Sequence, residues 1–188
     1  MSPRARKPLE EIAVTSLRSP MGKIWILATE RGVREIRLGK AEAPSRREAR
    51  ARDEKYVRRP RWTDPAKRAV EAYLAGDRTP FDLPLDLGRG TPFMRRVWEA
   101  TRRVRHGAVA SYATIAASAG APKAVRAVGN ALGANPIPIV IPCHRVVHSD
   151  RSLGGFSSGL AWKRFLLELE RGQFELTLRP RKRLGLFG

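Results

Sequence analysis

Asn135-Pro136-Ile137-Pro138-Ile139-Val140-Ile141-Pro142 carries three prolines and runs straight into Cys143-His144-Arg145-Val146, which holds the only cysteine of the 188 residues. Each proline removes a backbone donor and fixes φ, so a helix is excluded, and the aliphatic residues between them favour an extended, buried segment that delivers Cys143 to a fixed place. A lone cysteine is ordinarily a small buried hydrophobe. Here its neighbours His144 and Arg145 can accept a proton or favour a thiolate, and a thiol with a pKa of about 8.5 needs such help to act as a nucleophile at neutral pH. Adjacent residues of an extended chain point to opposite faces, so His144 is expected to reach the sulfur through a water. A base used in this way needs a third group to hold its tautomer, usually a carboxylate. The candidates in this half are Glu99, Asp150, Glu168, Glu170 and Glu175.

Beyond the cysteine, the Gly- and Ser-rich loop Ser149 to Gly159 leads into an amphipathic helix from about Leu160 to Glu170, with Leu166, Leu167 and Leu169 in its core stripe. Before the proline stretch, Thr91-Pro92 opens a helix with Phe93, Val97, Thr101 and Val104 on one face. Ser111 caps another, ending near Ala119, and Gly120 and Pro122 turn the chain into a fourth spanning about Pro122 to Leu132. This spacing is that of a helix-turn-helix. Residues 77–90, rich in Pro, Asp and Gly, read as a connector. Upstream, Ile12 to Leu38 is predicted to form an antiparallel meander with a hairpin turn at Glu30-Arg31-Gly32. Ser45 is expected to cap a solvated helix running to about Arg58. Asp64-Pro65 is expected to start another helix, buried through Ala69, Val70, Tyr73 and Leu74 and stopped by Gly76.

The predicted fold is α/β (α+β): a small N-terminal antiparallel sheet domain with helices (1–87), a mainly helical, winged helix-turn-helix-like domain carrying the active cysteine (88–174), and a basic tail (175–188). The chain holds 37 Lys+Arg against 18 Asp+Glu, a net charge of +19. Residues 1–88 hold 20 basic and 13 acidic groups (+7), while 89–188 hold 17 and 5 (+12), so the second half is the expected nucleic-acid face. No segment reads as a signal peptide or a membrane span. One cysteine permits no internal disulfide, and a reducing, cytoplasmic compartment is expected.

The motif Pro142-Cys143-His144-Arg145-Val146, with Asn135-Pro136 before it and Gly154-Gly155 and the Lys163 to Glu170 helix after it, resembles the O6-alkylguanine-DNA alkyltransferase family, also called methylated-DNA-protein-cysteine methyltransferases. Val97-Trp98, Gly107, Ser111-Tyr112 and Ala124-Val125-Arg126-Ala127-Val128-Gly129 extend the likeness. The meander and Tyr73-Leu74-Ala75-Gly76 are similar to its N-terminal domain. The resemblance implies a single-turnover transfer of an alkyl group from O6 of a flipped-out guanine in duplex DNA (O4-alkylthymine being a further substrate) to Cys143, with no cofactor. It implies that Glu170 orients His144, that His144 acts on Cys143 through water, and that Asn135 supports the turn behind the nucleophile. Tyr112 would donate to the guanine ring and help to turn its phosphate, Arg126 would fill the gap in the stack, and backbone groups at Cys143, Val146 and Ser157 would read the base. Tyr112, Lys123, Arg126 and Ser149 are the implied DNA contacts, within a helix-turn-helix that enters the minor groove.

The chain departs from the family pattern at Phe156, Ser158 and Arg151, in the pocket loop that sets which alkyl groups fit. Some relatives bind zinc through N-terminal cysteines that this chain lacks, so no metal is expected. A monomer with no membrane or obligate protein partner is the expected state. Two other classes fit parts of the pattern: a lesion sensor or helix-turn-helix regulator that binds without chemistry, and a cysteine hydrolase using Cys143 and His144. The presence of Cys143 argues against the first, and the basic half argues against the second.

Overall fold

The computed structural model describes residues 8–39 and 43–172. The basic segments 1–7 and 175–188 lie outside the described residues, as does Glu175. The N-terminal part holds strands β1 (Glu10–Ser19), β2 (Gly22–Thr29) and β3 (Gly32–Leu38), helix α1 (Arg46–Ala51), strand β4 (Glu54–Val57) and helix α2 (Pro60–Leu74). The expected meander is present: β1, β2 and β3 pair antiparallel, with Ala13 opposite Ala28 and Ile26 opposite Ile36. β4 adds a fourth strand, parallel to β1, giving the order β3-β2-β1-β4.

That strand corrects the helix expected to reach Arg58. Ser45 does cap α1, its hydroxyl accepting from Glu48 N, but Asp53 turns the chain at φ +55 and residues 54–57 join the sheet. A parallel partner is distant in sequence, so the local charge pattern carried no trace of it. α2 likewise starts one turn earlier than expected, with Pro60 rather than Pro65 at its first position. Pro65 lies inside the helix, at an exposed position. Val70, Tyr73 and Leu74 are buried as expected.

The C-terminal part holds α3 (Pro92–Arg102), β5 (Ala110–Ser111), α4 (Tyr112–Ser118), α5 (Val125–Gly133), a 3-10 turn (Cys143–Arg145), β6 (Val146–Val147) and α6 (Leu160–Glu170). Thr91 and Ser111 cap α3 and α4 as the sequence indicated. The fourth helix begins at Val125 rather than Pro122, because residues 122–124 belong to the turn. Val97, Ile115, Val128 and Leu132 bring α3, α4 and α5 together, and Trp98 Nε1 donates to Ala131 O at 2.8 Å.

The proline stretch is buried, Ile137, Ile139 and Ile141 being wholly inaccessible, but it is not extended. Ile141 N donates to Ile137 O (2.9 Å), and Ile139 takes φ +76, a conformation that costs a β-branched residue about 1–3 kcal/mol and persists only where its surroundings hold it. These isoleucines share one apolar cluster with Ile24, Ile36 and Val70 of the N-terminal part and with Trp162, Phe165 and Leu166 of α6. Ile36 N donates to Pro136 O (2.8 Å), so β3 grips the start of the stretch.

The segment read as a connector is also anchored. Val33 N donates to Pro84 O and Asp86 N to Val33 O, so the segment runs alongside β3. The approach is close enough that a Cβ at Gly32 would stand 2.2 Å from Pro84 O. Asp86, buried, accepts from Thr29 and Arg34, and Arg34 in turn pairs with Glu10 and Glu54.

Candidate active site and nucleic-acid interface

Cys143 opens the 3-10 turn, so the chain bends directly after Pro142, with Arg145 N donating to Pro142 O (2.9 Å). β6 follows and pairs in parallel with β5, Ala110 opposite Val146, which ties the turn to the start of α4. Asn135 fastens it from behind. Its Nδ2 donates to Ile141 O (2.8 Å) and to Cys143 Sγ (3.0 Å), and its Oδ1 accepts from Ile137 N (3.0 Å). Burial pushes the Cys143 thiol above its ordinary pKa; the Asn135 amide, the Lys163 charge and the turn's own N–H groups act in the opposite direction. The thiol therefore needs a base to ionise.

His144 is fully buried, with Nε2 at 2.7 Å from Glu170 Oε1. Burial lowers the imidazole pKa despite Glu170, so the ring is neutral with Nε2–H donated to the carboxylate. Nδ1 is then the free lone pair, and it is buried with no hydrogen-bond partner among the described residues. Glu170, which ends α6, also accepts from Tyr73 OH (2.8 Å), Arg145 Nη2 (2.8 Å) and Gly107 N (2.9 Å). Burial alone would raise its pKa, but the bonds from His144 and Arg145 outweigh burial and hold it well below the carboxylate range.

Of the other candidate carboxylates, Glu99 is exposed on α3, Asp150 accepts from Ser152 and Glu168 faces solvent. Arg145, read as a group that could favour the thiolate, instead serves Glu170 and donates to Val104 O at 2.6 Å.

Cys143 lines a cavity of about 600 Å³ together with Tyr112, Arg126, Gly129, His148, Phe156 and Ser157. One wall of the cavity is α5, the second helix of the helix-turn-helix, on which Arg126 is exposed. Tyr112 and His148 meet with ring centroids 5.2 Å apart, and Gly154 packs under them at φ +64, where a Cβ would stand 2.7 Å from Tyr112 OH. Only glycine fits there.

One expected base contact, Val146, is placed otherwise. Val146 does not line the cavity; its N–H goes to Cys143 O and its carbonyl accepts from Lys163. Lys123 is exposed in the turn before α5, Ser149 is exposed beyond β6, and neither borders the cavity. Arg151 takes φ +66, a left-handed position that favours glycine, which explains why a glycine is the commoner choice in that pattern.

The sequence reading missed Lys163, Tyr73, Gly107 and His148. Lys163 is wholly inaccessible, its ammonium donating to Val146 O (2.6 Å), Gly155 O (3.3 Å) and Leu153 O, and burial lowers its pKa to about 8. Lys163, Leu166, Leu167 and Glu170 fall at i, i+3, i+4 and i+7, so the apolar stripe of α6 had already placed both charged residues inside. Nothing local marked Tyr73, which reaches Glu170 from 97 positions away.

A buried thiol with a neutral imidazole and a carboxylate behind it, facing the second helix of a helix-turn-helix across an open cavity, defines a class of DNA-associated cysteine acceptor. Residues 12–87 match the family model described as 6-O-methylguanine DNA methyltransferase, ribonuclease-like domain, and residues 92–172 match that described as 6-O-methylguanine DNA methyltransferase, DNA binding domain. The chain belongs to the 6-O-methylguanine DNA methyltransferase family. It is 38% identical over 158 residues to the constitutive methylated-DNA–protein-cysteine methyltransferase of Bacillus subtilis strain 168, covering 84% of this chain and 94% of that one. It is 50% identical over 111 residues to the methylated-DNA–protein-cysteine methyltransferase of Mycobacterium bovis, covering 58% and 67%. The crystal structure of Mycobacterium tuberculosis OGT in complex with DNA superimposes with a TM-score of 0.73 at 38% identity, covering 86% of this chain and 94% of that one. No helix among the described residues is long and apolar enough to cross a membrane.

Proposed function

We propose that this chain repairs alkylated DNA by moving the alkyl group from O6 of a guanine in duplex DNA onto Sγ of its own Cys143. The observation that carries the reading is the thiol on the wall of the α5-bordered cavity, next in the chain to His144, whose buried Nδ1 has no partner among the described residues. The thiol proton passes through a water to Nδ1, and the imidazolium is stabilised by Glu170. The thiolate then attacks the alkyl carbon: the S–C bond forms as the C–O6 bond breaks. Guanine leaves as the neutral base once its ring takes a proton from the Tyr112 hydroxyl, and the proton held on His144 returns through solvent to the phenolate, so that on balance the thiol proton ends on guanine and the alkyl group on sulfur. The product is a thioether, which water does not cleave, so each molecule acts once and needs no cofactor.

The target base enters the cavity by flipping out of the stack, which costs a few kcal/mol and least for a poorly paired, damaged base. Arg126, exposed on α5, occupies the space it leaves, while Lys123 and Ser149, both exposed, contact the backbone. Asn135 holds the turn, and Ser157 and the Cys143 backbone contact the base. Lys163 fixes carbonyls of the loop whose Gly155, Phe156 and Ser157 line the cavity. The protein works as a monomer on duplex DNA in the cytoplasm. Intact mass after mixing with a duplex containing O6-methylguanine tests the reading: a permanent gain of one methyl group, lost in Cys143→Ser while duplex binding persists, is the expected result. Tight binding without mass gain would show a sensor instead, and turnover a hydrolase.

A further inference from the structure

The 3-10 turn that carries Cys143 separates two cavities. Cys143 lines the one described above, whereas Pro142 and Arg145 line a second, of about 390 Å³, on the connector side. Its wall carries a run of rings: Phe81 and Tyr73 have centroids 5.7 Å apart, and Tyr73 and His106 meet edge to face at 6.0 Å. Burial holds the His106 pKa below its ordinary value, with the Arg145 and Arg78 charges adding to burial against the opposing pull of Glu170 and Asp77. The imidazole is therefore a neutral, flat surface rather than another cation.

Around these rings stand four exposed guanidiniums, Arg78 from the connector and Arg102, Arg103 and Arg105 from the end of α3 and beyond it. Among the described residues the one carboxylate lining the cavity is Glu99, at 3.6 Å from Arg102 and 3.9 Å from Arg103, both long for an ion pair. Arg78 and Arg105 have no carboxylate partner among the described residues. The cavity thus joins an excess of planar cations, suited to bidentate bonds with phosphate oxygens, to the half-buried rings of Phe81 and His106, against which a planar base can stack. Its volume falls in the range of small-molecule sites.

We propose that this second cavity binds a nucleotide, its base against the half-buried Phe81 and His106 rings, which the buried Tyr73 backs, and its phosphate among Arg78, Arg102 and Arg105. None of these arginines borders the Cys143 cavity, so the inference stands apart from the alkyl transfer.

Isothermal titration of the full chain tests it with three probes: dGMP, deoxyguanosine and inorganic phosphate. Because the site needs both halves of the ligand, dGMP should bind at least about tenfold more tightly than either of the others. Arg102→Ala/Arg105→Ala should weaken dGMP by about tenfold or more, and Arg78→Ala, from the connector, should act in the same direction; these side chains are exposed, so the fold is retained. A 5′-phosphorylated dinucleotide run in parallel identifies the source: tighter binding than dGMP assigns a strand end, and equal or weaker binding assigns a free nucleotide. Absence of dGMP binding, or equal affinity for phosphate alone, overturns the proposal. So does binding that survives both arginine variants or falls instead with Arg126→Ala, which would put the nucleotide in the Cys143 cavity.

Discussion

Glu170 Oε1 stands 2.7 Å from His144 Nε2, and the same carboxylate is the counter-charge of buried Arg145 and the acceptor for Tyr73. One side chain at the end of α6 therefore sets the imidazole tautomer, neutralises a buried guanidinium and ties α2 of the N-terminal part to the cysteine turn. Its chemical and structural roles cannot be separated by deleting it, but they differ in what they disturb.

Glu170→Gln keeps the shape and removes the charge. It leaves Arg145 buried without its counter-ion, a loss of about 3–5 kcal/mol for a broken buried pair. It also removes the anion that stabilises imidazolium, so single-turnover transfer should slow by about 100-fold or more. Duplex affinity should hold, because the exposed arginines of α5 and the surface are untouched. Rate measured well below the lowered melting temperature isolates the chemical effect, and an unchanged rate there would remove Glu170 from the proton path.

Arg126→Ala should lower transfer on duplex far more than on free O6-methylguanine or a short single strand, because the guanidinium acts only on the flipped state. Arg126→Lys should recover little, since it keeps the charge and loses the plane that stacks. If Arg126 were only a phosphate contact, the loss would appear as weaker binding with a smaller salt dependence, and lysine would substitute well.

Lys163→Met keeps the buried stem and strips the ammonium from Val146, Leu153 and Gly155 carbonyls. Transfer should slow equally on duplex and on free base, because the loop borders the base wherever the base comes from. A loss confined to duplex would place Lys163 with the DNA contacts instead. Lys163→Arg should not rescue, as the closed site has no room for a guanidinium.

Asp86 supplies one share of the pH dependence of folding. Burial alone would raise its pKa, but the bonds from Thr29, Arg34 and Arg31 take it from 3.8 to about 2. A carboxyl depressed in the folded state stabilises fully above its unfolded value and loses that contribution as pH falls through the folded one. Asp86 should therefore contribute about 2 kcal/mol above pH 4, lost between about pH 4 and pH 2. Urea unfolding across that window should show the loss, and Asp86→Asn should flatten that share of it.

What the sequence by itself determined follows from local chemistry. The meander, the Thr91 and Ser111 caps, the two-helix spacing and the span of α6 each rest on residues within a few positions of one another, and so were legible. Cys143 and His144 stood side by side, and Glu170 was one of five candidate carboxylates until the resemblance singled it out. Tertiary structure decided what distance in sequence conceals. It made β4 a strand by pairing it with β1, and it bent the proline stretch into a buried turn, because the cluster of Ile137, Ile139 and Ile141 with both halves of the chain outweighed the extended preference of its aliphatic residues. It moved Val146 off the cavity and turned Arg145 away from the sulfur. It also brought Tyr73 to Glu170, since a buried carboxylate must satisfy its oxygens with whatever donors the fold delivers, however far along the chain they begin.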